Sequence, residues 1–222
     1  MRDPLLLAEA IFVSVPVSTK PSGEQDLTIL KTAMEICPEN IPIFVRSSVL
    51  PGTCDKLCNT FSNIKFQIHA LPEFLTERKA QSDALSLPIL ATERGAWYLS
   101  RIFPGKKLII VGGNKEAEMV KYVHNSFAAM KVGFFNTVYQ ACENENIKFT
   151  RVVNAACDVT GFIEKTHTQV PGPDGKFGFG GKCLGKDLLA FVYFLEKTLG
   201  CEVFLRKVMD ENLYIRANIN NL

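Results

Sequence analysis

The fold is decided by one uninterrupted stretch, residues 115–146, with the sequence KEAEMVKYVHNSFAAMKVGFFNTVYQACENEN. It contains no proline and a single glycine, Gly133, and these two residue types are the strongest helix breakers. Its apolar residues recur at helical spacing, at Met119, Val123, Phe127, Met130, Phe134, Val138 and Cys142. We therefore predict one helix roughly 45 Å long. A helix this long and this apolar needs another helix or a second chain to cover it.

Strand and helix patterns alternate in the residues before this helix. Short apolar runs predict strands at residues 10–15, 41–46, 65–69 and 107–111. Helical spacing is found at residues 26–37 and 55–61, whereas residues 18–23 and 47–53 have the composition of a loop and a turn. This order predicts an α/β fold with a mostly parallel sheet and covering helices.

The residues after the long helix have no strand pattern and predict an all-α domain. A second helix is predicted at residues 149–158, and a last helical stretch at 184–218 that breaks near Gly200. Between them lies a loop rich in proline and glycine, residues 170–181. We place the domain boundary between residues 113 and 114.

Composition excludes several classes of function. The 222 residues are 47% hydrophobic and carry a net charge of +2, from 25 basic and 23 acidic residues. A core can be buried, and without a basic run we expect no nucleic-acid or membrane partner. No apolar run approaches the roughly 18 residues that a membrane helix needs. The apolar start of the chain is interrupted by Glu9 and leads into a strand, so it is not predicted to be a signal peptide.

The seven cysteines predict reduced thiols in the cytoplasm. Their number is odd, their spacing is irregular, and the one close pair, Cys54 and Cys58, has no second pair or histidine beside it. We therefore predict neither a disulfide framework nor a metal site.

A glycine-rich loop with a cysteine carries the strongest chemical signal, FGFGGKCLGKD at residues 177–187. Cys183 follows the glycines at the predicted start of a helix, where the helix dipole favours a thiolate. Lys182 and Lys186 add positive charge, and Asp187 lies one turn further on the same helix face. A nucleophile beside a carboxylate suits covalent catalysis followed by attack of water. The alternative is a glycine turn with an inert, buried thiol.

Lys121 and Asn125 form a second candidate pair. They are four residues apart on the long helix, so both project from one face. A cation and an amide donor can stabilise an oxyanion. The alternative is an ordinary solvated helix face.

Glu73 and Glu77 form a third candidate pair, one turn apart if a helix begins after the strand that precedes them. Paired carboxylates can transfer protons or orient a water. The alternative is the acidic first turn of a helix, which complements its dipole.

Five segments together resemble the UDP-glucose/GDP-mannose dehydrogenase family, in the order in which the family has them. They are IFVSVP (residues 11–16), RSSVLPGT (46–53), PEFLTE (72–77), AEMVKYVHNSFAAMK (117–131) and GFGGKC (178–183) with Lys186-Asp187. The resemblance implies a partial Rossmann-like, dinucleotide-binding domain at residues 1–113. It also implies an α-helical central domain at residues 114–222, which carries the cysteine and forms a homodimer through the long helix.

The chemistry implied by the resemblance is an NAD-dependent oxidation of a nucleotide sugar, in the simplest case UDP-glucose to UDP-glucuronate. Two hydride transfers would pass through a thiohemiacetal and a thioester on Cys183. Lys121 and Asn125 would stabilise the oxyanion, Asp187 and Ser48 would orient the water, and Glu73 would act as a base. The resemblance also implies two groups of contacts: Phe74, Leu75, Glu77 and Gly180 on the substrate, and Val15, Pro16, Ser48 and Lys186 on NAD.

The sequence also departs from the family pattern. It has no Gly-x-Gly-x-x-Gly, the motif that binds a pyrophosphate, so we expect it to begin inside the family's dinucleotide-binding domain. It also stops after the last helical stretch, without the third domain that the resemblance implies, so we expect a chain truncated at both ends relative to the family. Leu71, Thr137 and Leu184-Gly185 replace residues that are usual in the family. Three functions stay open: a dehydrogenase acting alone or with a complementing chain, a non-catalytic helical dimerisation module, and a thiol enzyme that does not use NAD.

Overall fold

A computed structural model describes residues 8–61, 67–76, 78–181 and 183–218. The chain forms two compact units, Met1–Val123 and His124–Leu222. The long helix, α5 (Asn114–Asn144), crosses from the first unit into the second. The domain boundary at residue 113 stays a prediction.

The first unit alternates strands and helices, as the sequence predicts. Its elements before α5 are β1 (Ile11–Val13), β2 (Ser18–Thr19), β3 (Gln25–Asp26), α1 (Thr28–Glu35), β4 (Ile43–Val45), α2 (Thr53–Thr60), β5 (Ile68–Ala70), α3 (Ala80–Ser86), β6 (Ile89–Thr92), α4 (Glu93–Ile102) and β7 (Leu108–Val111).

The main strands pair in parallel, which confirms the predicted sheet type. One sheet has the order β1-β4-β5, and β6 pairs with β7 in a second ladder. All three residues of β4 and of β5 are buried, as in strands that helices cover on both faces. Beside β5, the Asn114 side chain replaces a neighbouring strand: its Oδ1 accepts the Ala70 N–H at 2.8 Å and its Nδ2 donates to the Ile68 carbonyl at 3.2 Å.

Two local predictions for this unit are wrong, and one strand was missed. Residues 18–23 are not only a loop, because β2 and β3 pair as an antiparallel hairpin. The four-residue strand β6 was not predicted, since its run is too short to give a periodic signal. Helix α1 ends at Glu35, two residues before the end of the predicted helix, and Ile36 is 68% exposed. Residues 65 and 66 of the predicted third strand lie outside the described residues.

The second unit is helical, as predicted. Helix α5 spans 31 residues, α6 spans Phe149–Asp158, and the last stretch divides into α7 (Leu184–Leu199) and α8 (Phe204–Asn218). The break follows Gly200, whose φ of 72° ends α7 in the left-handed conformation that glycine tolerates. Phe135 and Cys142 of α5 pack on Phe149, Val153 and Cys157 of α6. Within the described ranges, no helix is long and apolar enough to cross a membrane.

Candidate active site

Cys183 is exposed at the start of α7, where it occupies the N-cap position. Its carbonyl oxygen accepts the Asp187 N–H at 2.8 Å, which closes the first helical turn. The alternative of a buried thiol is therefore wrong. All seven cysteines are free, and Cys201 is the other exposed one.

Asp187 lies under this turn and is only 1% exposed. Its Oδ2 accepts a hydrogen bond from Asn125 Nδ2 at 2.6 Å, and its Oδ1 accepts one from Lys186 Nζ at 2.7 Å. Hydrogen bonds to an ionised group are short and strong, so the carboxylate is firmly held. Asn125 is itself 6% exposed, and the alternative of a solvated face is wrong for it. Asp187, expected to orient the water, and Asn125, expected to stabilise the oxyanion, are thus directly hydrogen-bonded to each other.

Two asparagines hold the glycine-rich loop before Cys183. The Gly178 N–H donates to Asn136 Oδ1 at 2.8 Å, and the Phe179 N–H donates to Asn212 Oδ1 at 2.7 Å. Asn212 Nδ2 also donates to the Phe179 carbonyl at 3.0 Å. Gly178 has a φ of 73°, and a Cβ there would lie 2.5 Å from Asn212 Oδ1, so only glycine fits.

Arg216 of α8 also holds the glycine-rich loop, through hydrogen bonds to its carbonyls. It donates from Nη2 to the Gly178 carbonyl at 3.0 Å and from Nε to the Phe179 carbonyl at 3.2 Å, while both Nη atoms bind Asp174 Oδ2. A Cβ on Gly180 would lie 2.3 Å from Arg216 Nη2. The glycines therefore bring the loop backbone against α8. Sequence reasoning missed Asn136, Asn212 and Arg216. The two asparagines are buried amides on helices, and such a group needs a partner.

In the first unit, Lys121 is 4% exposed, so the solvated-face alternative is wrong for it too. Its Nζ donates to the Glu73 carbonyl at 2.5 Å, lies 3.8 Å from Glu73 Oε1 and is 5.3 Å from the centre of the Phe74 ring. A buried ammonium surrounded by a carbonyl, a carboxylate and an aromatic face is well compensated.

The segment that carries Glu73 is not helical between residues 71 and 76. The prediction of a helical carboxylate pair is wrong there, and Glu77 lies outside the described residues, as does Lys182. Instead, Glu73 Oε2 accepts the Leu75 N–H at 2.7 Å, which folds the segment into a turn. Glu73, Phe74 and Leu75 line a cavity of about 510 Å³ with Arg46.

The residues expected to contact NAD in this unit lie at the carboxyl ends of adjacent strands. Ser47 Oγ donates to the Val15 carbonyl at 2.7 Å and accepts the Val15 N–H at 3.0 Å, which ties the ends of β1 and β4 together. Pro16 follows and is exposed, and Ser48 is half-buried. Dinucleotides bind beyond the carboxyl ends of parallel strands, so the position of Val15, Pro16 and Ser48 fits part of such a site. Lys186 is in the second unit, where it pairs with Asp187.

Glu118 is a buried carboxylate that the sequence analysis did not single out, and it lies at the start of α2. Glu118 of α5 is 2% exposed, and it accepts the Gly52 N–H at 2.5 Å and the Cys54 N–H at 2.8 Å. It thereby satisfies the first turn of α2. Burial raises the pKa of Glu118 to about 7, against the opposing effect of these hydrogen bonds.

No group of three or more potential metal ligands occurs in the described part of the chain. The ordered features are thus an exposed thiol at a helix start, a buried carboxylate–amide pair and a buried lysine. The first unit also has parallel strands with covering helices, and the second unit is helical.

Comparison with known proteins finds similarity to one family of dehydrogenases. Residues 115–213 match the model of the UDP-glucose/GDP-mannose dehydrogenase family, central domain. A UDP-glucose 6-dehydrogenase of Rickettsia felis is 28% identical over 230 residues, which cover 96% of this chain and 49% of that protein. Its counterpart in Rickettsia bellii is 30% identical over 228 residues, covering 95% and 50%. The solved structure of a UDP-glucose dehydrogenase from Pyrobaculum islandicum superposes with a TM-score of 0.81 at 27% identity, covering 95% of this chain and 51% of that one.

The chain is thus a relative of the UDP-glucose/GDP-mannose dehydrogenases, and the resemblance found in its sequence motifs is confirmed. It spans about half the length of the curated relatives that it matches.

Proposed function

We propose that the chain carries the thiol chemistry of an NAD-dependent nucleotide-sugar dehydrogenase that oxidises UDP-glucose to UDP-glucuronate. The observation that carries this proposal is the exposed Cys183 thiol at the start of α7, with the buried Asp187 one turn below it. The names of the relatives support the choice of substrate.

Cys183 is the proposed nucleophile. NAD, when bound, supplies the hydride acceptor. Cys183 adds to the aldehyde formed from the sugar C6 alcohol and gives a thiohemiacetal, whose oxidation leaves a thioester. Attack of water on the thioester releases the acid and the thiol. Asp187, held by Asn125 and Lys186, orients that water.

Lys121 and Asn125, on successive turns of α5, stabilise the oxyanion in this proposal. Glu73 serves as a base in thioester hydrolysis, and Ser48 helps to orient the water. The proposed substrate contacts are Phe74, Leu75, Glu77 and Gly180; the proposed NAD contacts are Val15, Pro16, Ser48 and Lys186.

The test is NADH formation by the purified chain with NAD and UDP-glucose. We expect about two NADH per sugar, one for each hydride transfer, and loss of this activity in Cys183→Ala. Cys201→Ala is the matched control, because Cys201 is the other exposed thiol and has no proposed role. Absence of NADH from a folded chain, or full activity in Cys183→Ala, would overturn the proposal.

We also propose a homodimer through α5. In the second unit, Phe127 and Phe134 are 59% and 58% exposed, and Phe162 beside them is 89% exposed. They line an apolar cavity of about 440 Å³ with Met130 and Ile163. Apolar patches of this kind mark protein–protein contacts. A stable monomer in multi-angle light scattering would contradict this proposal, whereas a dimer without NADH formation would favour the non-catalytic dimerisation module.

A further inference from the structure

Gln25 is a half-buried side chain on β3 that contacts the backbone of the Ser48 loop on two sides. Its Nε2 donates to the Ser48 carbonyl at 3.0 Å, and its Oε1 accepts the Leu50 N–H at 2.8 Å. The amide thus bonds the residues on either side of Val49, as a neighbouring strand would.

Tyr122 also binds this amide. The tyrosine is fully buried on α5, and its hydroxyl accepts a second hydrogen bond from Gln25 Nε2 at 2.9 Å. The Leu50 N–H can only donate and the Ser48 carbonyl can only accept, so these two groups decide which end of the amide faces each of them, and the Tyr122 hydroxyl adds a third hydrogen bond at the amino end.

The geometry gives Gln25 a specific effect on Ser48. A peptide group that loses its partner inside a protein finds another conformation or another donor. Bonds on both sides of Val49 hold the peptide plane after Ser48, and the Ser48 hydroxyl is two bonds from the same Cα. The position of the Ser48 Cβ, from which the hydroxyl projects, therefore depends on Gln25.

We propose that Gln25 is a positioning residue that fixes the Ser48–Leu50 backbone, and with it the Ser48 hydroxyl, before any ligand binds. The catalytic part of this inference rests on the proposed function, in which Ser48 helps to orient the attacking water. Gln25 itself touches no reacting atom; it acts through the loop.

The experiment compares amide hydrogen exchange and NADH formation in the full chain with three substitutions. Gln25→Ala removes all three bonds of the amide. Gln25→Glu keeps an acceptor for the Leu50 N–H and removes the donor to the Ser48 carbonyl. Glu24→Ala is the matched control, since Glu24 is the next residue on the hairpin and its carboxylate forms an exposed ion pair with Lys20.

In Gln25→Ala we expect the Leu50 amide to exchange about tenfold faster, as for the loss of a net hydrogen bond. In Glu24→Ala it should stay within about threefold of the unsubstituted chain. In Gln25→Glu it should also rise, because a carboxylate oxygen would face the Ser48 carbonyl oxygen that the amide now binds. For NADH formation we expect kcat to fall about tenfold in Gln25→Ala with little change in the KM for UDP-glucose, since a misplaced group acts on the reacting complex.

Unchanged Leu50 exchange in Gln25→Ala would overturn the inference, whether or not the chain turns over. Faster exchange with an unchanged kcat would overturn the positioning of Ser48. Absence of NADH from the unsubstituted chain would overturn the proposed function instead, and the exchange data would still decide whether Gln25 holds the loop.

Discussion

Replacement of Glu118 by glutamine should change how the stability of the first unit depends on pH. Glu118 is 2% exposed, and its carboxylate accepts backbone N–H groups of Gly52 and Cys54. Burial raises its pKa from 4.5 to about 7. Since one pH unit corresponds to about 1.36 kcal/mol, ionisation of the folded protein costs about 3 kcal/mol relative to the unfolded chain.

The sign follows from proton binding. Between about pH 4.5 and 7 the folded state keeps the Glu118 proton while the unfolded chain has lost it. The contribution to stability is therefore complete below the unfolded pKa, and it is lost as pH rises through the folded pKa. Roughly 2 kcal/mol of the loss should fall between pH 5 and pH 8.

The assay is urea unfolding at pH 5 and pH 8, followed by fluorescence of Trp97. This is the only tryptophan in the sequence and it lies in the first unit, so its signal reports the unit that contains Glu118. Glutamine offers one acceptor for two N–H donors, which lowers stability by an offset that does not depend on pH. The difference in unfolding free energy between the two chains should nevertheless shift by roughly 2 kcal/mol in favour of Glu118→Gln at pH 8.

The control for this prediction is Glu116→Gln, which removes an exposed carboxylate of the same helix that accepts the Gly113 N–H. A pH-independent difference between Glu118→Gln and the unsubstituted chain would refute the reasoning, because it would mean that the buried carboxylate does not titrate in this range.

Two predictions concern the second unit. Asp187→Asn should lower the free energy of unfolding by about 1–3 kcal/mol in urea titrations followed by circular dichroism, because Lys186 and Asn125 lose their charged acceptor. The control Asp210→Asn, on the exposed side of α8, should change this free energy by less than about 0.5 kcal/mol. Equal effects of the two substitutions would contradict the argument. Gly180→Ala should cost about 1–3 kcal/mol, because its Cβ would lie 2.3 Å from Arg216 Nη2 and would displace a guanidinium held by four hydrogen bonds. In the control Gly185→Ala the new Cβ meets no atom within 4 Å, so the free energy of unfolding should stay the same or rise by up to about 1 kcal/mol. An unchanged free energy of unfolding in Gly180→Ala would show that Arg216 does not hold the loop in place.

The sequence determined the elements whose signal is long and local. The 31-residue helix α5 and the bounds of α6 at Phe149–Asp158 follow from apolar spacing alone, because a helix imposes one period on every residue in it. The helix start at Cys183 follows from the glycines before it and the apolar run after it. The strands β2, β3 and β6 were missed because two to four residues are too few to show a period. The helices α3 and α4, of seven and ten residues, were missed as well.

The tertiary structure alone decided which side chains face each other. Spacing on α5 placed Lys121 and Asn125 on successive turns, and only the fold paired Asn125 with Asp187, 62 residues away, and Lys121 with the Glu73 carbonyl, 48 residues away. The same holds for Gln25 and Ser48. Periodicity reports the face on which a residue lies within its own helix or strand. The partner across that face depends on how distant segments pack, so the sequence determined the chemical groups and the fold determined their hydrogen bonds and burial.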